Sequence, residues 1–316
     1  LRSILIITGP TASGKSAVAM HCARLLEAEI ISADSRQVYR GLDIGTAKPG
    51  AEALRDIPHH GIDIAEPGDT YTAGRFFEDA RGWISDIFAR GRRVIIVGGS
   101  GLYVRVLMRG IFDAPDTDPA LRVELQRRLE EEGADALVDE LTRLDPEGVR
   151  TIDTRNPVRL LRALEVCLQT GEPYSAIRRE RLRTLPWTFV QTAIDRERAE
   201  LYDRINRRVD AMVAAGLFDE VRALLDAGVH PSWNALRTVG YQEIVEYFTG
   251  LHSRARAIEL IKRNTRRFAK RQLTWFRREE DLRWFTPEPA DAKQTALRML
   301  TDVYGENAAS GQHGSD

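Results

Sequence analysis

The 316-residue sequence is short of cysteine, short of lysine and free of long apolar runs, and each shortage narrows the reading. Its two cysteines, Cys22 and Cys167, lie in helix-like segments with no metal-ligand spacing around them. That excludes a disulfide scaffold or a zinc ribbon and points to buried thiols in a reducing compartment. No apolar stretch approaches bilayer-spanning length and no leader is expected ahead of the first strand, so a cytoplasmic protein is expected. Of the 46 basic residues only five are lysines: Lys15, Lys48, Lys262, Lys270 and Lys293. The net charge of −1 excludes a chain that is basic throughout, so arginine argues for nucleic acid only where it clusters with matching chemistry. What remains is 43% hydrophobic residues, enough for a full core and more than one lobe.

The most specific feature is Gly9-Pro10-Thr11-Ala12-Ser13-Gly14-Lys15-Ser16, which follows the apolar run Ile4–Ile7 and opens the helical pattern from Ala17. This is a complete phosphate-binding loop in its strand-loop-helix setting. Gly9 and Gly14 let backbone N–H groups turn towards an anion, and the helix N-terminus adds partial positive charge. Lys15 reaches an outer phosphate and the Ser16 hydroxyl suits Mg²⁺. The chain therefore binds a run of phosphates, of a nucleotide or of another compound.

Apolar strands at Ile4–Ile7, Glu29–Asp34 and Arg93–Val97 alternate with helices at Ser16–Leu26 and Phe76–Arg90. This is the pattern of an α/β fold with a parallel sheet covered on both faces, whose ligands sit beyond the C-terminal strand ends. From about 116 to 188 the texture is helical and rich in charge, which predicts an all-helical insertion. Trp187–Ile194 alternates and returns the chain to the sheet, giving a core of 1–115 with 189–300. Helices then dominate to about Trp284, and the small, polar residues 305–316 read as a disordered tail.

Asp34 ends a buried strand beside the phosphate loop. Position alone allows a helix N-cap, an acid near Mg²⁺, or a general base facing a reacting group. The strand at Val94–Val97 ends in Gly98-Gly99-Ser100-Gly101, where an NTPase usually carries an acid that assists Mg²⁺. Small residues and a hydroxyl suit close approach of a ligand and do not suit water activation. Residues 254–278 carry ten basic groups against Glu259. Ile258, Ile261, Thr265, Phe268 and Gln272 mark the packed side of that helix, and Trp275 and Phe276 are available for stacking or packing. Further clusters are Arg178-Arg179 with Arg181 and Arg183, and Arg155, Arg159 and Arg162 at a helix begun by Asn156-Pro157. Each is either a solvated face or a phosphate-contact surface.

Six blocks in order resemble the tRNA dimethylallyltransferases of bacterial type, a family also called tRNA isopentenyltransferases. They are Gly9–Ser16; Asp34-Ser35 with Val38–Pro49; Gly98-Gly99-Ser100-Gly101-Leu102-Tyr103; Asn156–Glu165; Thr238-Val239-Gly240-Tyr241; and Lys270–Arg277. The resemblance implies a P-loop NTPase-like core that binds the diphosphate of dimethylallyl diphosphate with Mg²⁺. The enzyme would prenylate N6 of adenine 37, just 3′ of the tRNA anticodon. It implies Asp34 as general base, with Ser100 near the reacting centre and Arg208 near the diphosphate. It implies tRNA contacts at Asp34, Ser35, Arg36 and Gln37, at Ser100 and Arg122, and at Val158, Arg159, Leu160, Leu161 and Arg162. Further contacts would be Arg237, Thr238, Val239, Gly240, Tyr241 and Gln242, then Lys270, Arg271, Gln272, Leu273, Thr274, Trp275, Phe276 and Arg277. The insertion would grip the anticodon stem, and a monomer suffices. Two other readings stay open from the residues: a P-loop kinase for a nucleoside or small metabolite, and a non-catalytic RNA-binding regulator.

Overall fold

The computed structural model describes residues 3–116, 118–287 and 291–305. In chain order the elements are β1 (Ser3–Thr8), α1 (Lys15–Leu26), β2 (Ala28–Ser32), α2 (Ala51–Asp56), β3 (His59–His60), α3 (Ala73–Ala89), β4 (Arg93–Val97) and α4 (Gly101–Arg109). There follow β5 (Ile111–Phe112), α5 (Pro119–Leu144), α6 (Pro146–Thr151), α7 (Pro157–Thr170), α8 (Tyr174–Glu180) and β6 (Leu182–Arg183). The chain continues through β7 (Thr188–Ile194), α9 (Arg198–Ala214), α10 (Leu217–Asp226), α11 (Tyr241–Phe248), α12 (Arg254–Phe276), β8 (Arg283–Phe285) and α13 (Ala292–Tyr304). It divides into two compact units, one built from the residues up to Met108 and from Pro186 onward, the other from Arg109–Leu185.

The first unit is organised on a six-stranded sheet among the described residues, in the order β3-β2-β4-β1-β7-β8, with every pairing parallel. Ile4–Ile7 are fully buried because helices cover both faces, which is why the strand reads as an unbroken apolar run. One face packs Val18, Ala19 and Cys22 of α1 against Ala296, Met299 and Leu300 of α13. Burial pushes the Cys22 thiol up to about 12, so it is a small apolar side chain rather than a nucleophile. α3 starts where the Thr72 hydroxyl accepts the Arg75 N–H and buries Phe76, Phe77, Ala80, Ile84 and Ile87.

The sequence pattern missed five elements here, α2, β3, α4, β8 and α13. Trp284 is the middle of β8, in register with Ala193, where helix was expected. Three edge residues are too few to show a period. β3 is two histidines, and α13 lies where no element was read. Among the described residues no helix is long and apolar enough to cross a membrane. The expected disordered tail lies, beyond Gly305, outside the described residues.

The Arg109–Leu185 unit is helical apart from an antiparallel ladder, Ile111 with Arg183 and Phe112 with Leu182, which joins its two chain ends. α7 begins as its sequence indicates. The Asn156 side chain accepts from the Val158 and Arg159 N–H groups, with Pro157 at the first helical position. The core of this unit is Leu125, Leu137 and Leu141 of α5 against Leu160, Leu161 and Leu164 of α7.

Candidate active site

The phosphate-binding loop joins β1 to α1 with φ of 141° at Gly9, 64° at Ala12 and 100° at Gly14. A left-handed alanine is strained by about 1 kcal/mol, and packing holds it: Ala12 is buried against Leu201 and Ile205 of α9 and Ala269 of α12. Side chains from outside the loop take up its carbonyls. Arg204 Nε donates to Ala12 O at 2.8 Å and Arg196 Nε to Ser13 O at 2.7 Å. Thr11 N–H donates to Gln272 Oε1 at 2.8 Å. Among the described residues no side chain caps α1, whose first-turn N–H groups are left for an anion. The Ser13 hydroxyl is fully buried beside Gly9 without a hydrogen-bond partner among the described residues. Lys15 Nζ donates to Pro10 O at 3.4 Å. Burial draws its pKa down to about 8, with Asp34 opposing the shift and Arg208 adding to it. Arg208 is also lowered by burial, again opposed by Asp34. The three groups thus form one electrostatic cluster of two cations and a carboxylate.

Asp34 follows β2 and its Oδ1 accepts the Arg36 N–H at 2.9 Å. Ser100 brackets it from both sides. Ser100 N–H donates to Ala33 O at 3.2 Å, and Ser100 Oγ accepts the Ser35 N–H at 2.9 Å while donating to Ser35 Oγ at 3.2 Å. The glycines around Ser100 were expected to admit a ligand. They line the cavity in part, yet the close approach they permit is by protein atoms. A Cβ on Gly98 would lie 2.0 Å from Ala33 O, on Gly99 2.2 Å from Gln272 Nε2, and on Gly101 2.2 Å from Trp275 Nε1.

Lys15, Ser16, Asp34, Ser100 and Arg208 share one cavity of about 460 Å³. Its apolar lining comes from Met20, Ile30, Val97, Ile205, Val209, Met212 and Ile261. Arg36, Gln37, Arg237, Thr238, Val239, Gly240, Arg271 and Gln272 line it as well, so this part of the expected tRNA set is brought together around the cavity. Several of these side chains are already engaged. Arg36 Nη1 donates to Asn234 O at 2.7 Å, and Gln37 Nε2 reaches the Thr46 and Ala47 carbonyls, each at 3.2 Å.

Other expected contacts lie inside the protein. Tyr241 is fully buried and its hydroxyl donates to Glu220 Oε1 at 2.6 Å; burial and that carboxylate push the phenol well above its usual range. Phe276 is 1% exposed, which leaves it no face for a base, and Gln272 is buried. Trp275 packs on Gly101 and under the Arg105 guanidinium, 4.2 Å from the ring centre. Phe268 departs the other way: expected on the packed side, it is 38% exposed and lines the cavity. Lys270, Arg271, Thr274 and Arg277 are exposed and Leu273 is half-buried; Gln242, also exposed, donates to Glu246. In the Arg109–Leu185 unit, Leu160 and Leu161 are core residues, while Val158 and Arg159 are exposed. Arg122 and Arg162 both reach the fully buried Glu165, at 3.0 Å and 3.4 Å to its Oε2.

Sequence reasoning passed over Arg196, Arg204, His59 and Glu220. His59 lines the cavity, with Nδ1 2.7 Å from Ile57 O. Glu220, on α10, accepts the N–H groups of Asp43, Ile44 and Gly45 at 3.1, 2.7 and 3.2 Å. Lys48, nearly buried, donates to Tyr39 O and Asp43 and pairs with Asp63. Together these contacts account for the polar texture of the 35–49 loop. Arg204 lay one helical turn before Arg208, the one local signal available.

Among the described residues no group of three or more His, Cys, Asp or Glu is disposed to hold a metal. The donors present are the Ser16 hydroxyl and the Asp34 carboxylate, both at the cavity. That set fits Mg²⁺, which characteristically takes one or two protein oxygens and completes its shell with phosphate and water.

The family model for IPP transferase matches residues 37–279, and that for isopentenyl transferase matches residues 2–62. The chain is 50% identical over 282 residues to tRNA dimethylallyltransferase 1 of Trichlorobacter lovleyi, covering 89% of this chain and 92% of that protein. It is 46% identical to the tRNA dimethylallyltransferase of Chlorobium phaeobacteroides, covering 96% and 97%. Among solved structures it is similar to the tRNA isopentenylpyrophosphate transferase of Bacillus halodurans, with TM-score 0.71, 37% identity and 98% of each chain covered. A eukaryotic dimethylallyltransferase acting on tRNA shares the fold at TM-score 0.84 and 24% identity, covering 100% of this chain and 81% of that one.

Proposed function

The chain belongs to the IPP transferase family, that of the tRNA dimethylallyltransferases, and transfers a dimethylallyl group to tRNA; we propose that the donor is dimethylallyl diphosphate and the acceptor N6 of adenine 37, just 3′ of the anticodon. The observation that carries the finer reading is the setting of Asp34. Its carboxylate shares one cavity with Lys15 of the phosphate loop, with Arg208 of α9 and with an apolar wall suited to a five-carbon chain.

The N6 lone pair attacks C1 of the donor, the C1–O bond breaks, and its electron pair leaves with diphosphate. Asp34 accepts the N6 proton as attack proceeds, which matters because an adenine amine is a weak nucleophile. Lys15, largely protonated at neutral pH, Arg208 and the first-turn N–H groups of α1 stabilise the charge that grows on the leaving group. Ser100 holds Ala33 and Ser35, and so the carboxylate between them. Ser16 and the substrate oxygens would hold Mg²⁺, which supplies further positive charge to diphosphate. The strand end Gly98-Gly99-Ser100-Gly101 offers no acid where a nucleotide hydrolase usually carries one, which supports diphosphate as a departing group.

The adenine has to leave its stack to reach Asp34, at a cost of about a few kcal/mol. Arg237 at the cavity, the exposed Arg267, Lys270 and Arg271 of α12, and Arg277 at its C-cap supply compensating phosphate contacts. To the Arg109–Leu185 unit we assign contacts with the stem.

Incubation with unmodified tRNA, dimethylallyl diphosphate and Mg²⁺, followed by digestion and mass spectrometry, tests this reading. One adenosine per tRNA gains a C₅H₈ unit with the wild-type protein and none does with Asp34→Ala, whose tRNA affinity stays within about severalfold. ATP turnover without a mass gain would overturn the proposal.

A further inference from the structure

We propose that Gln272 is a positioning residue for the donor site, an amide clamp that fixes the phosphate loop against the turn carrying Ser100. This rests on the reading above and reassigns a residue that the sequence grouped with the tRNA contacts. Gln272 lies within α12, next to the exposed Arg271, but is itself 7% exposed. Its Oε1 accepts the Thr11 N–H at 2.8 Å and its Nε2 donates to Gly99 O at 3.0 Å. An N–H only donates and a carbonyl only accepts, so these two partners leave the amide one orientation. The turn makes room for it, since any side chain on Gly99 would meet Nε2 at 2.2 Å.

The clamp spans the two halves of the proposed chemistry. On one side is the loop that holds diphosphate, its carbonyls already taken by Arg204 and Arg196. On the other is Gly99, whose neighbour Ser100 brackets Asp34. Strand pairing of β1 and β2 with β4 sets the frame, and beyond the strand ends this side chain ties the loop directly to the turn. An amide does this without placing a net charge beside the diphosphate. Because Thr11 N–H is spent on Gln272, the clamp acts through the loop's shape and not as an anion donor.

The test is steady-state kinetics at saturating tRNA, with tRNA affinity measured separately. Gln272→Ala is expected to raise KM for dimethylallyl diphosphate by about tenfold and to lower kcat, with the tRNA Kd within about twofold of wild type. Gln272→Glu supplies the sharper readout. Ionised, it faces the Gly99 carbonyl with a negative oxygen. Protonated, it again offers one acceptor and one donor. Burial beside a carbonyl raises the pKa of such a carboxyl, so the donor KM of Gln272→Glu relative to wild type should fall towards one between about pH 9 and about pH 6. The same ratio for Gln272→Ala should stay flat. A tRNA Kd that rises as much as the donor KM would make Gln272 an RNA contact and overturn the proposal. So would an unchanged donor KM in both variants, or a Gln272→Glu ratio that does not move with pH. A wild-type protein that transfers no prenyl group defeats the functional reading instead, whatever Gln272 does.

Discussion

Arginine does different work in the Arg109–Leu185 unit and around the phosphate loop, although elsewhere in the first unit it pairs with carboxylates too, as Arg90 does with Glu29. In the Arg109–Leu185 unit it meets carboxylates: Arg122 and Arg162 converge on Glu165, Arg179 reaches Glu147, Arg181 reaches Glu172 at 2.6 Å, and Arg183 lies 3.4 Å from Asp113. Around the phosphate loop it meets backbone carbonyls or the cavity. Arg204 is spent on Ala12 O, Arg196 on Ser13 O as well as on Glu200, and Arg208 lines the cavity beside Lys15. A guanidinium paired with a carboxylate has little charge left to offer a ligand. One that binds a carbonyl keeps its net charge while shaping the loop. Counting arginines along the chain therefore overstates the first region as an anion-binding surface and understates the second.

Substitutions that remove one arginine from each region should separate these roles. Arg208→Ala is expected to have the largest effect, lowering kcat/KM for dimethylallyl diphosphate by about 10³-fold, since it removes charge aimed at the leaving group. Its melting temperature should hold, because a buried cation is removed while Asp34 keeps Lys15 and the Arg36 N–H; a large drop in melting temperature would show that Arg208 belongs to the scaffold. Arg122→Ala should behave in the opposite way. It deprives the fully buried Glu165 of one of its two arginines and should cost about 2 kcal/mol in denaturant unfolding, less than a wholly unpaired buried charge because Arg162 stays. Activity per folded molecule at low temperature should be unchanged. A loss of activity without a loss of stability would make Arg122 the tRNA contact that its motif implies.

The phosphate loop was legible because its whole logic is local: strand, turn and helix lie within the span Ile4–Met20. The parallel sheet was legible for the same reason, as strands buried on both faces read as unbroken apolar runs. What escaped the sequence depends on partners far along the chain. Thr11 meets Gln272 across 261 positions, Glu220 meets Ile44 across 176, and Arg122 meets Glu165 across 43. The helical period did put Gln272, and not its neighbour Arg271 about 100° away, on the packed side of α12, as found; what no period or motif encodes is what meets a side chain there, Thr11 and Gly99 in this case. Phe268 was misread for the same reason, since an aromatic at core spacing is core only if something covers it. Leu160, Leu161 and Tyr241 show the converse: residues in a motif that resembles an RNA-binding block are there to hold the exposed members, Val158, Arg159 and Gln242, in position.

The smallest effect tests the comparison most finely, through salt. An uncommitted cation that meets a phosphate releases a counterion, so removing it should flatten the salt dependence of tRNA binding by about one unit of slope in log K against log salt. Lys270 and Arg277 are exposed, and Lys270→Ala and Arg277→Ala are each expected to show that loss. Arg181 is exposed as well, but its guanidinium already sits on Glu172. Arg181→Ala removes one cation and frees one carboxylate, so the slope should change by less than about half a unit, while affinity at low salt falls slightly through the new negative charge. Equal slopes for all three variants would mean that local ion pairing does not decide which arginines read phosphate, and that the two units present their charge to RNA on the same terms.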